Sequence, residues 1–325
     1  MSPTDAMRKA GTPTNAGTGP AGPGNGLLSP AFRHGHADVD AAFEQDRMPR
    51  LRGLLRSELR LVFLRPRTAA MLGFLALVPV LLGVALRWFQ DGSPTGSGDG
   101  GGAIDFVNQV TGNGLFLVFA SLAAALPFFL PMTIGVVAGD SIAGEAHAGT
   151  LRYLLVAPAG RSRLLLIKFA GVLTFCLAAT MTVALSALAV GAALFPMGDV
   201  PLLTGDTISM TEASWRAVLI ALCVAASLVG LAAIGLFVST LTTVPVAAMA
   251  TTVGVVIVTA ILTGIPQLSA IHPWLFTDGW LSFGDLLRSP VPTDAIVRNL
   301  GVQAGYTAVF ASAAWARMHE RDVTT

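Results

Sequence analysis

An all-α polytopic membrane protein is the fold class this sequence predicts, with six transmembrane helices, an N-terminal amphipathic interfacial helix and an external re-entrant hairpin. Three observations carry that prediction. The chain is 53% hydrophobic and 12% charged, with a mean hydropathy of +0.68, whereas soluble domains carry roughly 25% charged residues. Six apolar runs are each long enough to cross a bilayer, which takes about 20 helical residues. The basic residues are gathered on one side of those runs, as topology in a membrane requires.

The elements follow in chain order. Residues 1–46 read as a disordered cytoplasmic tail, because Gly, Pro, Thr, Ala, Asn and Ser dominate and apolar periodicity is missing. No signal peptide is read there, since Arg8 and Lys9 lead into a Gly/Pro-rich stretch. His34 and His36 in this tail are read as incidental, and no metal site is expected. Residues 47–67 change character. Leu51, Leu54, Leu55, Leu59, Val62 and Phe63 share one helical face, while Arg50, Arg52, Arg56 and Arg60 lie largely on the other. Such a helix lies in the membrane surface, apolar face down and arginines near the headgroups. Pro66 ends it.

The six spans are expected at about 68–89, 115–138, 169–194, 216–240, 245–265 and 295–316, within a transmembrane domain of 68–317. Trp215 and Arg216 anchor the start of the fourth. The sixth is the least apolar, because Arg298, Asn299 and Gln303 interrupt its outer half. The second holds Pro127 and Pro131, which kink or loosen a helix and make it a candidate lining element of a path. Between the last two spans, residues 266–294 are too apolar for a solvated loop and too broken to span. They read as a re-entrant hairpin, with Trp274 and Trp280 as anchors and gate candidates. Cys176 and Cys223 fall inside apolar runs and read as small core hydrophobes.

Orientation follows from charge. Arg47, Arg50, Arg52, Arg56, Arg60, Arg65 and Arg67 precede the first span, and Arg317 and Arg321 follow the sixth. Arg152, Arg161, Arg163 and Lys168 flank the segment after the second span. The opposite loops carry Asp91, Asp99, Asp105, Asp199, Asp206 and Glu212. Both termini, the 318–325 tail and residues 139–167 are therefore expected in the cytoplasm of a multi-pass protein of the cell membrane.

No catalytic constellation is present. The chain lacks a Gly-x-x-x-x-Gly-Lys-Ser/Thr phosphate loop, a His-Glu-x-x-His metal pair and a Gly-x-Ser-x-Gly nucleophile turn. No acid falls in the middle of a span, which disfavours a proton-coupled secondary transporter. Span hydroxyls such as Thr174, Thr180, Ser186, Thr252 and Thr259 suit a hydrophobic or amphipathic cargo better than a charged one. Membrane lipid is an expected partner and nucleic acid is not.

The most informative segment is the one at 139–167. It runs Asp140-Ser-Ile-Ala-Gly-Glu145-Ala-His-Ala-Gly149-Thr150-Leu151-Arg152, then Leu154-Leu155, Pro158 and Arg161, with Lys168 beyond. Leu151, Leu154 and Leu155 sit at helical spacing, and Pro158 and Gly160 end that short helix. This pattern resembles the permease subunits of type-2 ABC exporters. The resemblance covers roughly residues 50–317, with its sharpest part in this segment. It implies that the segment is a coupling helix docking on a separate ABC ATPase. It implies ATP and Mg on that partner and no cofactor in this chain. It implies a dimer with itself or a similar permease, and no enzymatic activity of its own. The family often has a second charged residue beside its glutamate, where this chain has Ala146-His147-Ala148. Three alternatives stay open from the sequence: a haem-exporter-type permease, a non-transporting membrane assembly or regulatory partner, and a secondary transporter.

Overall fold

The computed structural model describes residues 53, 55–92, 112–149, 161–198, 200–201 and 207–320. The expectations for residues 1–46, the leucine helix at 151–155 and the last five residues lie outside them. A helix over residues 55–63 (α1) turns at Leu64 and Arg65 into α2, Pro66–Gly92. Pro66 occupies the first turn of α2, where its missing N–H is no loss. Val62 and Phe63 pack against the core, and the Phe63 ring lies 6.4 Å from that of Phe175. That is the buried edge of the expected amphipathic helix.

The chain continues as α3 (Phe116–Ala125), α4 (Phe129–His147) and α5 (Arg161–Leu194). A pair of two-residue antiparallel strands follows, β1 (Val200–Pro201) and β2 (Thr207–Ile208), in the register Val200↔Ile208. Then come α6 (Met210–Ser227), α7 (Val229–Leu241) and α8 (Pro245–Thr263). Three short 3-10 turns, Pro266–Leu268, His272–Trp274 and Trp280–Leu287, lead to α9 (Asp294–Glu320).

Four stretches among the described residues are long and apolar enough to cross a membrane: Pro66–Phe89, Arg161–Leu194, Met210–Leu241 and Pro245–Thr263. The pair α3 and α4 makes a fifth if counted as one bent span, the two helices meeting at 55°. The bend falls at Leu126–Phe128, so Pro127 acts where the sequence placed it. The expected sixth span is a helix, α9, but falls short in hydropathy because Asp294, Arg298, Asn299 and Gln303 occupy its first three turns. Asn299 and Gln303 are buried, and they stand four residues apart on one face. Their polarity therefore points into the bundle.

Helix α5 is the longest element, and at 1.5 Å per residue its 34 residues reach about 51 Å. A hydrocarbon core is about 30 Å thick, so α5 projects well beyond it. Its first two turns, 161–167, were expected as loop. Likewise α4 runs on through 139–147, despite Gly139 and Gly144. What separates the two helices is residues 148–160.

In the core, α9 packs most extensively on α7, α4 lies against α8 and α7, and α2 lies along α5. The approach of α4 to α8 depends on Gly139, where a Cβ would come within 2.8 Å of the Met249 backbone nitrogen. The strands were not foreseen, since two-residue strands leave no alternating pattern to read.

Candidate functional site: a charged clasp joining α1, α2, α4 and α5

Six charged side chains meet where α1, α2, α4 and α5 converge. Lys168, on the third turn of α5, donates to both carboxylate oxygens of Glu58 at 2.8 and 2.9 Å and to Oε1 of Glu145. Its side chain is 4% exposed, and those of Glu58 and Glu145 are each 12% exposed. Beside them, Asp140 Oδ2 accepts from Arg65 Nη1 at 2.8 Å and from Arg67 Nη2 at 2.5 Å. Glu58, Arg65, Arg67, Asp140 and Lys168 line one cleft. Three carboxylates and three cations balance to zero. That balance matters, because an isolated charge at such burial costs several kcal/mol in lost hydration.

Sequence dictates which element brings each group. Glu58 is the lone acid among the arginines before the first span, and it sits on the inward edge of α1 with Leu59 and Val62. Asp140 and Glu145 lie in the last two turns of α4. Ser239 of α7 holds those turns in place. Its hydroxyl donates to Gly139 O at 2.6 Å and receives the N–H groups of Ile142 and Ala143 at 3.0 and 2.8 Å. A side chain inserted into a helix ladder this way fixes the local helix direction.

Gly149 ends the helix beyond Glu145. It has φ +72°, and its N–H reaches Ala146 O at 3.2 Å. This is the left-handed cap that glycine adopts without steric cost. The residues Thr150, Leu151, Arg152, Leu154, Leu155 and Pro158 lie outside the described residues. Arg161 belongs to a different contact: its Nη1 donates to His319 O at 2.8 Å and Met318 O at 3.3 Å, at the far end of α9.

The expected segment residues therefore separate into two groups. Asp140, Glu145 and Lys168 come together, and Arg161 engages α9 instead. Glu58, Arg65 and Arg67 were missed as members of the site. Their signal was a single carboxylate set among seven arginines. Ser239 gave no signal, because one serine in an apolar run is common.

The gate candidates also divide. Trp274 is 74% exposed, while Trp280 is 4% exposed and packs edge-on to Phe276 at 5.6 Å. Trp280 is thus a core residue of the 266–294 segment. Pro127 lines an open apolar groove of about 420 Å³ with Phe128, Met132, Val253, Ile257 and Ile261. Pro131 sits one turn beyond the bend, buried in α4. Among the described residues no group of His, Cys, Asp and Glu is arranged to hold a metal ion.

A family model described as ABC-2 family transporter protein matches residues 65–271, well over half of the chain. The match begins at Arg65 in the charged clasp and ends in the turns before α9. No curated protein matches the chain.

Proposed function

The chain belongs to the ABC-2 transporter family, and from that membership we propose that it is the permease of an ATP-driven exporter, worked by a separate ATPase that binds residues 148–160. It is a multi-pass membrane protein and a transport component. The carrying observation is the clasp that ties together the ends of α4 and α5, the two helices that flank that segment in the chain. Two helix ends that were free to fray would absorb a push, whereas Lys168 and Asp140 tie these ends to α1 and α2. The helices on either side of 148–160 are thus anchored to the bundle.

The arginine distribution supports a cytoplasmic position for these helix ends and for both termini. ATP and Mg then act on the partner, since this chain has no phosphate loop. Glu145 does not face that partner. Buried against Lys168, it acts by holding the helix ends, and the ATPase meets 148–160 itself.

A hydrophobic or amphipathic cargo fits the groove at the α3–α4 bend, whose lining offers apolar side chains. The working unit is a dimer of this chain, or of it with a similar permease, beside two ATPase copies. The groove beside the bend would then lie along the path. Exposed apolar residues of α2 and α8, such as Leu81, Val246 and Ile257, leave ample surface for a second permease and for lipid. Affinity capture of the full chain from solubilised membranes tests the central point. Recovery of a soluble protein that hydrolyses ATP is expected, and its loss on replacing 150–158 with a Gly/Ser linker of equal length. Undiminished recovery with the linker would refute docking at this segment.

A further inference from the structure

We propose that α9 is a strut joining the two sides of the membrane domain, with Arg161 as the positioning residue at one end and Gln303 at the other. The idea rests on the reading above for what pushes the strut, but its geometry stands by itself.

At one end the first turn of α5 grips the last turn of α9. A helix leaves its last four carbonyls without intrahelical partners, and cations there also meet the negative end of the helix dipole. Arg161 supplies both, with Nη1 on the carbonyls of Met318 and His319. The neighbouring Ser162 hydroxyl accepts the indole N–H of Trp315 at 2.9 Å. The Trp315 and His319 rings lie 4.3 Å apart and close the contact. Arg161 is also the first residue of α5, so the contact with α9 is made at the very start of that helix.

At the other end α9 holds the 266–294 segment by its backbone. Gln303 Nε2 donates to Phe276 O at 2.7 Å, and Tyr306 donates its hydroxyl proton to Trp274 O at 3.1 Å. The Phe276 and Tyr306 rings lie 5.4 Å apart. Asn299 fills the space beside Gly279, where a Cβ would come within 2.7 Å of its own. Asn299 also donates to the Ser227 hydroxyl at 2.7 Å, where α6 gives way to α7. These are directional bonds, two of them to main chain, so the segment follows α9 as a body.

Between the two ends α9 is one unbroken helix. Gln303 and Met318 are fifteen residues apart, about 22 Å at 1.5 Å per residue. Two other helical routes across the bundle are interrupted, while α2, α5 and α8 are continuous like α9 but are not fastened to the 266–294 segment by the bonds above. The α3–α4 pair bends by 55°, and α6 stops at Ser227 before α7 starts. A continuous helix fastened at both ends transmits a shift along its axis, and a bent one takes it up at the bend.

Hydrogen exchange of the full chain in lipid nanodiscs tests this, and it needs neither ATPase nor cargo. The proposal can therefore fail while the transport reading stands, and the converse holds too. In Arg161→Met, amides 276–283 are expected to exchange about tenfold faster, within the range typical of coupled sites. Arg161→Lys, which restores a donor and a charge, should recover most of that protection. Coupling is reciprocal, so Gln303→Leu is expected to speed exchange at 316–320. Faster exchange at 316–320 in Arg161→Met with 276–283 unchanged overturns the proposal. Should Arg161→Met loosen every helix, Tyr306→Phe decides, since it removes only one exposed hydroxyl. Unchanged exchange at 316–320 in that variant overturns the proposal as well.

Discussion

Replacing Lys168 with methionine tests the clasp at its centre. In the native chain Glu58 and Glu145 converge on one ammonium that is 4% exposed. The Lys168→Met change would take that shared ammonium away from two carboxylates that are each 12% exposed. The six-residue cluster would pass from neutral to a net charge of −1. Removing one partner of a buried ion pair costs about 3–5 kcal/mol. We expect a cost within that range, because one ammonium serves both carboxylates and little solvent reaches it. Neutralising all three groups together, as Glu58→Gln, Lys168→Met and Glu145→Gln, removes the charge imbalance and should recover most of the loss. The assay is thermal unfolding of the purified chain in one detergent, followed by intrinsic tryptophan fluorescence. A Lys168→Met variant as stable as the native chain would contradict the clasp. So would a triple variant no better than the single one.

Two further outcomes follow from the same geometry. Ser239→Ala removes a hydroxyl that bonds Gly139 O and the N–H groups of Ile142 and Ala143. It is expected to cost about 1–3 kcal/mol in the same unfolding assay, and an unchanged midpoint would mean that α4 needs no help from α7. Single cysteines at Gly100 and at the exposed His147 should label with an impermeant reagent from opposite faces of sealed vesicles; labelling from the same face removes the basis for a cytoplasmic α4–α5 segment.

Apolar runs were legible because a span needs only length and hydropathy, and α2, α5 and α8 satisfy both within their own residues. The bend was legible for a similar reason, since Pro127 acts on its own turn. The clasp was not, because its pairs join residues far apart in sequence: Lys168 and Glu58 are 110 positions apart. A list of arginines cannot say which of them will meet a carboxylate. That α4 stays helical as far as His147 was not legible either, because Gly139 and Gly144, which weaken a helix by about 1 kcal/mol each, do not stop one packed against α7. In α9, averaging hid a directional fact. Asn299 and Gln303 lower its hydropathy yet face inward, to Ser227 and to the Phe276 carbonyl. Trp280 was assigned to an interface from its type alone, whereas it is buried in the core, edge-on to Phe276.

The central claim is that residues 148–160 convert ATP hydrolysis on a partner into movement of this chain. Gly149→Pro tests it most directly. Proline fixes φ near −65° where the chain has +72°, and it removes the N–H that bonds Ala146 O. The change redirects the segment and leaves the buried clasp in place. The measurement is cargo-linked ATP hydrolysis by the captured permease–ATPase complex in proteoliposomes. The account predicts that the variant assembles in the membrane, dimerises and unfolds at the native midpoint, yet no longer alters the partner's hydrolysis rate and no longer transports. Native stimulation and native transport by Gly149→Pro would show that force enters this chain elsewhere.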